Sequence, residues 1–265
     1  MSSRESVSGA NSLRDVSVLV TRPTGQAESL CHLIETRGGR VLRFPVLEIR
    51  DPPDTASLGT LYERLPDCDI AIFVSANAVR KMSKWVLNGR QWPSSVQIAA
   101  VGPSTVGELK IINLPTHLYP QRKFNSEGLL DLDEMHRINN KRIIVFRGTD
   151  GRELLGDTLR ARGAKLEYAE VYRRAMPEGK TNELKRYFES GEIDVITVSS
   201  LESLQNLIQM AGESGCLWLR KTPIVVVNNA MAELVRQLGS EALQAENATD
   251  PAIIEALLRW SKDRS

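Results

Sequence analysis

The chain has 265 residues, 42% of them hydrophobic, with 34 Lys plus Arg against 33 Asp plus Glu. At roughly 150 residues per domain it is long enough for two modest cores, and a net charge of +1 excludes the basic excess of a nucleic-acid binder. Three widely spaced cysteines, Cys31, Cys68 and Cys216, with no CxxC, make neither a disulfide framework nor a zinc site, which points to a reduced cytoplasmic setting.

In chain order, the polar, Ser-rich leader Met1 to Arg14 lacks the apolar stretch of a secretory signal and is expected to be disordered. Short β-branched runs then alternate with helix-period sequence. Val16 to Val20, Asp69 to Val74, Ile98 to Val101, Ile143 to Phe146, Asp194 to Val198 and Ile224 to Val227 read as strands, each followed by a helix. Behind the first, Ala27, Leu30, Leu33 and Ile34 repeat at helical spacing until Gly38-Gly39 supplies the stop. Two longer extended stretches, Val41 to Ile49 and Lys165 to Arg173, each precede a proline-containing break, Arg50 to Pro53 and Ala175 to Gly179. They are candidate interdomain strands. The alternation predicts α/β architecture with parallel sheets, and no apolar run approaches the roughly 20 residues that cross a bilayer.

The chain also repeats itself. Val20-Thr21-Arg22-Pro23-Thr24 returns as Val145-Phe146-Arg147-Gly148-Thr149, and Arg37-Gly38 returns as Arg162-Gly163, all 125 positions on. Asp69-Ile70-Ala71 matches Asp194-Val195-Ile196, and Ser75 matches Ser200, at the same offset. A constant offset across distant blocks predicts an internal duplication.

In open parallel sheets ligands bind beyond the carboxyl ends of the strands. The loops there carry Arg22, Ser75 with Asn77, Ser104 with Thr105, Arg147, Ser200 and Asn228 with Asn229. Hydroxyls and free backbone N–H groups at helix starts suit anions, and arginines add bidentate carboxylate recognition. The bland alternative is that the small polar residues are helix caps and that the arginines tie down turn carbonyls. No GxGxxG or GxxxxGK[ST] offers a nucleotide cradle, and no GxSxG elbow offers a serine nucleophile. His32, His117 and His136 stand at no metal-ligand spacing, and Asp150 and Asp250 read as helix-start acids. No metal and no cofactor is expected. An anion-binding cleft remains, in an enzyme or in a two-domain small-molecule sensor.

Val20-Thr21-Arg22-Pro23, Phe73-Val74-Ser75-Ala76-Asn77-Ala78-Val79, Ala100-Val101-Gly102-Pro103-Ser104-Thr105, Ser126-Glu127-Gly128-Leu129-Leu130, and Arg147-Gly148 leading to Val171-Tyr172-Arg173-Arg174 resemble, in order and spacing, the uroporphyrinogen-III synthase family. The pattern departs at Val227-Asn228-Asn229-Ala230-Met231. The resemblance implies two doubly wound, flavodoxin-like α/β domains joined by a two-stranded linker. One domain would comprise residues 1–40 with 175–265 and the other 51–164, with 41–50 and 165–174 as connecting strands. It implies a lyase that closes hydroxymethylbilane to uroporphyrinogen III, with Tyr172 assisting departure of the substrate hydroxyl. Arg22, Ser75, Asn77, Ser104, Thr105, Ser126, Arg147 and Ser200 would bind substrate. The enzyme would act as a cytoplasmic monomer, without nucleic-acid or membrane partners, on substrate received from the preceding pathway enzyme. The repeat counterpart of Tyr172 is Leu47, so only one copy carries the phenol.

Overall fold

The computed structural model describes residues 12–149, 151 and 153–264. Most of the leader and Asp150 therefore lie outside the described residues. The chain divides into two compact units, one formed by the chain up to Glu48 with the chain from Ala175 onward, the other by Ile49–Arg174.

The chain begins with β1 (Ser17–Val20), α1 (Glu28–Glu35) and β2 (Arg40–Arg43) in the first unit. It continues through β3 (Glu48–Arg50), α2 (Ala56–Leu61), β4 (Ile70–Phe73), α3 (Ala76–Met82), β5 (Gln97–Ala100), α4 (Pro103–Ile111), α5 (Ser126–Leu130) and α6 (Asp133–His136). The second unit is completed by β6 (Arg142–Gly148), α7 (Leu154–Ala161) and β7 (Lys165–Ala175). The chain then returns to the first unit as α8 (Thr181–Glu189), β8 (Val195–Thr197), α9 (Leu201–Leu219), β9 (Ile224–Val226), α10 (Asn229–Leu238), β10 (Ala242–Gln244) and α11 (Asp250–Asp263). All six strands expected from β-branched runs form, each with a helix behind it.

The sheet orders are β10-β9-β8-β1-β2 in the first unit and β3-β7-β6-β4-β5 in the second. The strand pairs β1–β2, β1–β8, β8–β9 and β9–β10 of the first sheet, and β4–β5, β4–β6 and β6–β7 of the second, are all parallel. Parallel sheets bury both faces, and alternate residues divide accordingly. Ala71, Phe73, Ile144 and Phe146 enter one core of the second unit, and Ile70, Ile72, Ile143 and Val145 the other. Phe73 and Phe146, opposite each other in the register, stack with ring centroids 4.7 Å apart. In the first unit Val18 and Val20 point to one core and Leu19 to the other.

The duplication is preserved to the residue. Val18 pairs with Val195 and Ile143 with Ile70; Ser17 pairs with Arg40 and Arg142 with Lys165, so partners keep their 125-position correspondence. The Asp194 Oδ2 accepts from the Ser17 backbone N–H at 2.9 Å, and Asp69 Oδ2 accepts from that of Arg142 at 2.8 Å. Gly38 and Gly163 share φ near 85°. Each unit thus combines the opening strand–helix–strand segment of one copy of the repeat with the remainder of the other copy.

The expected connecting strands are organised differently. The stretch 41–49 is not one strand: β2 pairs with β1 in the first sheet and β3 joins the second. Between them the chain carries Pro45, which has no N–H for a ladder, and buries Phe44, Val46 and Leu47. The stretch 165–173 lies in β7, which pairs with β6 along nearly all of that strand. Both stretches thus contribute sheet strands, and β3 and β7, which stand at the two points where the chain passes between the units, are neighbours in the second sheet.

Candidate active site

The second unit holds a cavity of about 440 Å³ at the carboxyl ends of β4, β6 and β7, lined by Val74, Ser75, Val101, Ser126, Arg147, Gly148, Thr149 and Tyr172, among others. A cavity of this size, part apolar wall and part convergent polar groups, is typical of small-molecule sites.

Tyr172 reaches it through an irregularity. β6 and β7 pair residue for residue up to Arg147 with Glu170, and then the register slips so that Gly148 faces Tyr172 and Val171 is left over. A bulge of this kind re-aims a side chain at a strand end. The Tyr172 carbonyl accepts from the Thr149 N–H at 3.0 Å, closing the slip. The phenol is 4% exposed, and its Oη lies 3.1 Å from Ser75 Oγ. Ser75 is the N-cap of α3, its Oγ also accepting from the Ala78 N–H at 3.1 Å. A helix cap is therefore one partner of the buried phenol. In the other copy of the repeat, Ser200 caps α9 through the Ser203 N–H at 3.1 Å and bonds the Ser203 hydroxyl at 2.8 Å, while Leu47 stands where Tyr172 would.

Arg147, 4% exposed, is spent on its own loop. Its Nε donates to the Gly148 carbonyl at 3.1 Å, its Nη2 to the Gly151 carbonyl, and its Nη1 to Glu153 Oε1 at 2.9 Å. The guanidinium also covers the Tyr168 ring, 4.4 Å from its centroid, and Tyr168 Oη donates to Glu153 Oε2 at 3.0 Å. Hydrogen bonds from Arg147 and then Tyr168 hold the Glu153 carboxyl below its ordinary range; burial and the bond to Glu153 push the Tyr168 phenol up. Arg22 is engaged likewise in the first unit, with Asp250, with the Ala248 carbonyl at 2.9 Å and with Ser199 Oγ at 3.4 Å. Asp250, in the first turn of α11, is thus an arginine partner.

Of the other expected residues, Ser126 lines the cavity at the start of α5, but the capping side chain is its neighbour Asn125, which accepts from the Gly128 N–H at 2.9 Å. Asn77 is half-buried on α3, its Oδ1 accepting from Arg80 at 3.4 Å. Ser104 is exposed, whereas Thr105 is 1% exposed because it sits on the inner face of α4 with Glu108 and Leu109. Ser200 and Arg22 belong to the first unit and not to this cavity. The residues Asn125, Glu153, Tyr168, Phe124 and Leu154 line or support it without having been anticipated. Only Asn125 left a signal, an Asn directly ahead of a helical run.

The family model for uroporphyrinogen-III synthase HemD matches residues 28–255. The uroporphyrinogen-III synthase of Escherichia coli (strain K12) is 33% identical over 245 residues, covering 91% of this chain and 100% of that protein. Two solved structures share the fold. A mutant uroporphyrinogen III synthase from the extremely thermophilic bacterium Thermus thermophilus gives a TM-score of 0.60 at 18% identity, over 94% of this chain and 99% of its own. The protein from Helicobacter pylori 26695 gives 0.58 at 12%, over 94% and 100%. With the family model spanning most of the chain and the E. coli relative matched along its whole length, the chain belongs to the uroporphyrinogen-III synthase family.

Proposed function

We propose that this chain is the synthase that closes hydroxymethylbilane to uroporphyrinogen III in porphyrin biosynthesis, with inversion of the terminal pyrrole. The observation that carries the reading is the Ser75–Tyr172 hydroxyl pair, held at 3.1 Å in a strand-end cavity. In the reaction the C–O bond of the hydroxymethyl group breaks as the pyrrole nitrogen pushes in its electron pair. A carbon–carbon bond then forms at the bridge-bearing carbon of the last ring, giving a spirocyclic intermediate that reopens and recloses in inverted order. Overall the hydroxyl and one ring proton leave as water, so the enzyme is a hydro-lyase.

The electron-rich pyrrole expels its own leaving group, and the chemistry therefore calls for no cofactor. The Tyr172 O–H donates to the departing oxygen, with Ser75 keeping the phenol oriented; such help is worth roughly 10²- to 10⁴-fold in rate. Holding the flexible tetrapyrrole for attack at the hindered carbon is the larger task. Substrate carboxylates meet the donors at Ser75, Asn77, Ser104, Ser126 and Ser200. Arg22 and Arg147 add positive charge from the strand-end loops that they brace, Arg22 through a bond to Ser199 beside Ser200, and Thr105 acts from within the helix. The protein works as a monomer in the cytoplasm, a setting that its three free cysteines fit, and receives its substrate from the enzyme that makes the linear tetrapyrrole. No helix among the described residues is long and apolar enough to cross a membrane.

The test is incubation with freshly generated hydroxymethylbilane, oxidation, and separation of the type I and type III porphyrins. Type III product in excess is expected; type I alone at the spontaneous rate would overturn the proposal.

A further inference from the structure

Among the described residues five large hydrophobic side chains are exposed, and two of them, Phe124 at 52% and Leu154 at 47%, stand on the rim of the one cavity that holds the hydroxyl pair. Single exposed apolar residues are ordinary on any surface, but these two lie at the mouth of a polar-floored cavity, where an apolar part of a ligand can rest. Phe124 is moreover held in place. The Lys123 carbonyl occupies the place where a Cβ on Gly128 would be, so the loop rests directly on the first turn of α5. Gly102 backs against the Phe124 Cβ on the other side, 3.2 Å from where its own Cβ would stand, and the Asn125 cap secures the next residue. The backbone and Cβ of Phe124 are thus held at a defined place, from which the exposed ring projects at the cavity mouth.

We infer that Phe124 and Leu154 form the apolar lip of a subsite that grips one pyrrole ring of the substrate, the ring that bears the hydroxymethyl group. The inference rests on the function proposed above and deepens it. A substituted pyrrole is flat and electron-rich, with apolar faces and carboxylate arms on its edge. Seated against Phe124, it directs its hydroxymethyl oxygen to the floor where Ser75 and Tyr172 lie. When the C–O bond breaks, hydroxide leaves as water with the proton that Tyr172 supplies, to be regained from the ring proton lost on closure, and the ring becomes an azafulvenium cation, its charge spread over nitrogen and carbon. A phenyl face beside that ring stabilises the cation more than the neutral substrate, as cation–π contacts do. Leu154, also on the cavity rim, adds apolar contact to the ring.

The experiment compares wild type, Phe124→Ala, Phe124→Leu, Phe124→Trp and Leu154→Ala on hydroxymethylbilane, reading KM, kcat and the type III fraction, with thermal unfolding as the check on folding. Because both side chains are exposed, all variants are expected to unfold like wild type. Phe124→Ala and Leu154→Ala should raise KM about tenfold, the scale of one lost aromatic or apolar contact. Phe124→Leu should retain more of the affinity than Phe124→Ala but lose kcat, and Phe124→Trp should restore both. Wild-type KM, kcat and type III fraction in Phe124→Ala would overturn the inference and leave the proposed function standing. Absence of type III product from the wild-type chain would instead sink the function, and the subsite with it.

Discussion

Gly148 backs directly onto the ring of Tyr172: a Cβ on Gly148 would stand 2.7 Å from Cε2 and 2.9 Å from Cζ of the phenol. The two residues face each other across β6 and β7 only because of the slip that leaves out Val171. Gly148→Ala must therefore push a buried ring off its seat. Overpacking of this sort costs about 1–3 kcal/mol, to be read as a lower urea midpoint. It should also separate Tyr172 from Ser75 and lower kcat more than it changes KM. Unaltered turnover would show that the phenol needs no fixed seat.

Tyr172→Phe keeps the ring and its packing and removes only the hydroxyl. We expect near-native stability and KM, with kcat down by roughly 10²-fold or more. Ser75→Ala should combine a lost helix cap, about 1 kcal/mol, with a loss of kcat, whereas Ser200→Ala should lose the equivalent cap in the other copy and raise KM with kcat kept. Stopped assays completed before spontaneous cyclisation consumes the substrate distinguish these outcomes.

Arg147 joins two loop carbonyls and Glu153 through three separate donors, a geometry that a lysine ammonium cannot reproduce. If its contribution is to brace the loop that follows β6, Arg147→Lys should behave like Arg147→Ala, with both variants destabilised and both raising KM. Rescue of KM by lysine would mean that charge alone matters and that a substrate carboxylate is met directly.

Asp51, just after β3, is clamped to α3 and the turn beyond it. Burial pushes its carboxyl up, but Lys81 Nζ at 2.5 Å, Trp85 Nε1 at 2.9 Å and Lys84 Nζ at 3.1 Å together hold it at about 2, against an ordinary 3.8. The folded value lies below the unfolded one, so the clamp stabilises fully above about pH 4 and is lost as pH falls towards 2. Asp51→Asn should be less stable than wild type at neutral pH. The gap between their urea midpoints should close between pH 4 and pH 2; a gap independent of pH would assign the effect to something other than the carboxylate.

Strand positions, the parallel α/β class and the duplication were all legible in the sequence. β-branched runs with helices behind them have few other ways to bury both faces of a sheet, and Asp69 and Asp194 announce the same strand-start bond at the same offset. Ser75 and Ser200 were legible as helix starts for the same local reason. What only the tertiary structure decided depends on long-range register and on which partners a loop finds when it closes. The slip at Val171 that aims Tyr172 at Ser75, the division of 41–49 between two sheets, the capture of Arg22 by Asp250 and of Arg147 by Glu153, and the bracing of Phe124 over Gly128 involve no periodic signal. A repeat encodes the scaffold twice, but Leu47 and Tyr172 occupy equivalent positions in it, and the neighbours brought there by folding make one a core residue and the other a partner of the Ser75 hydroxyl.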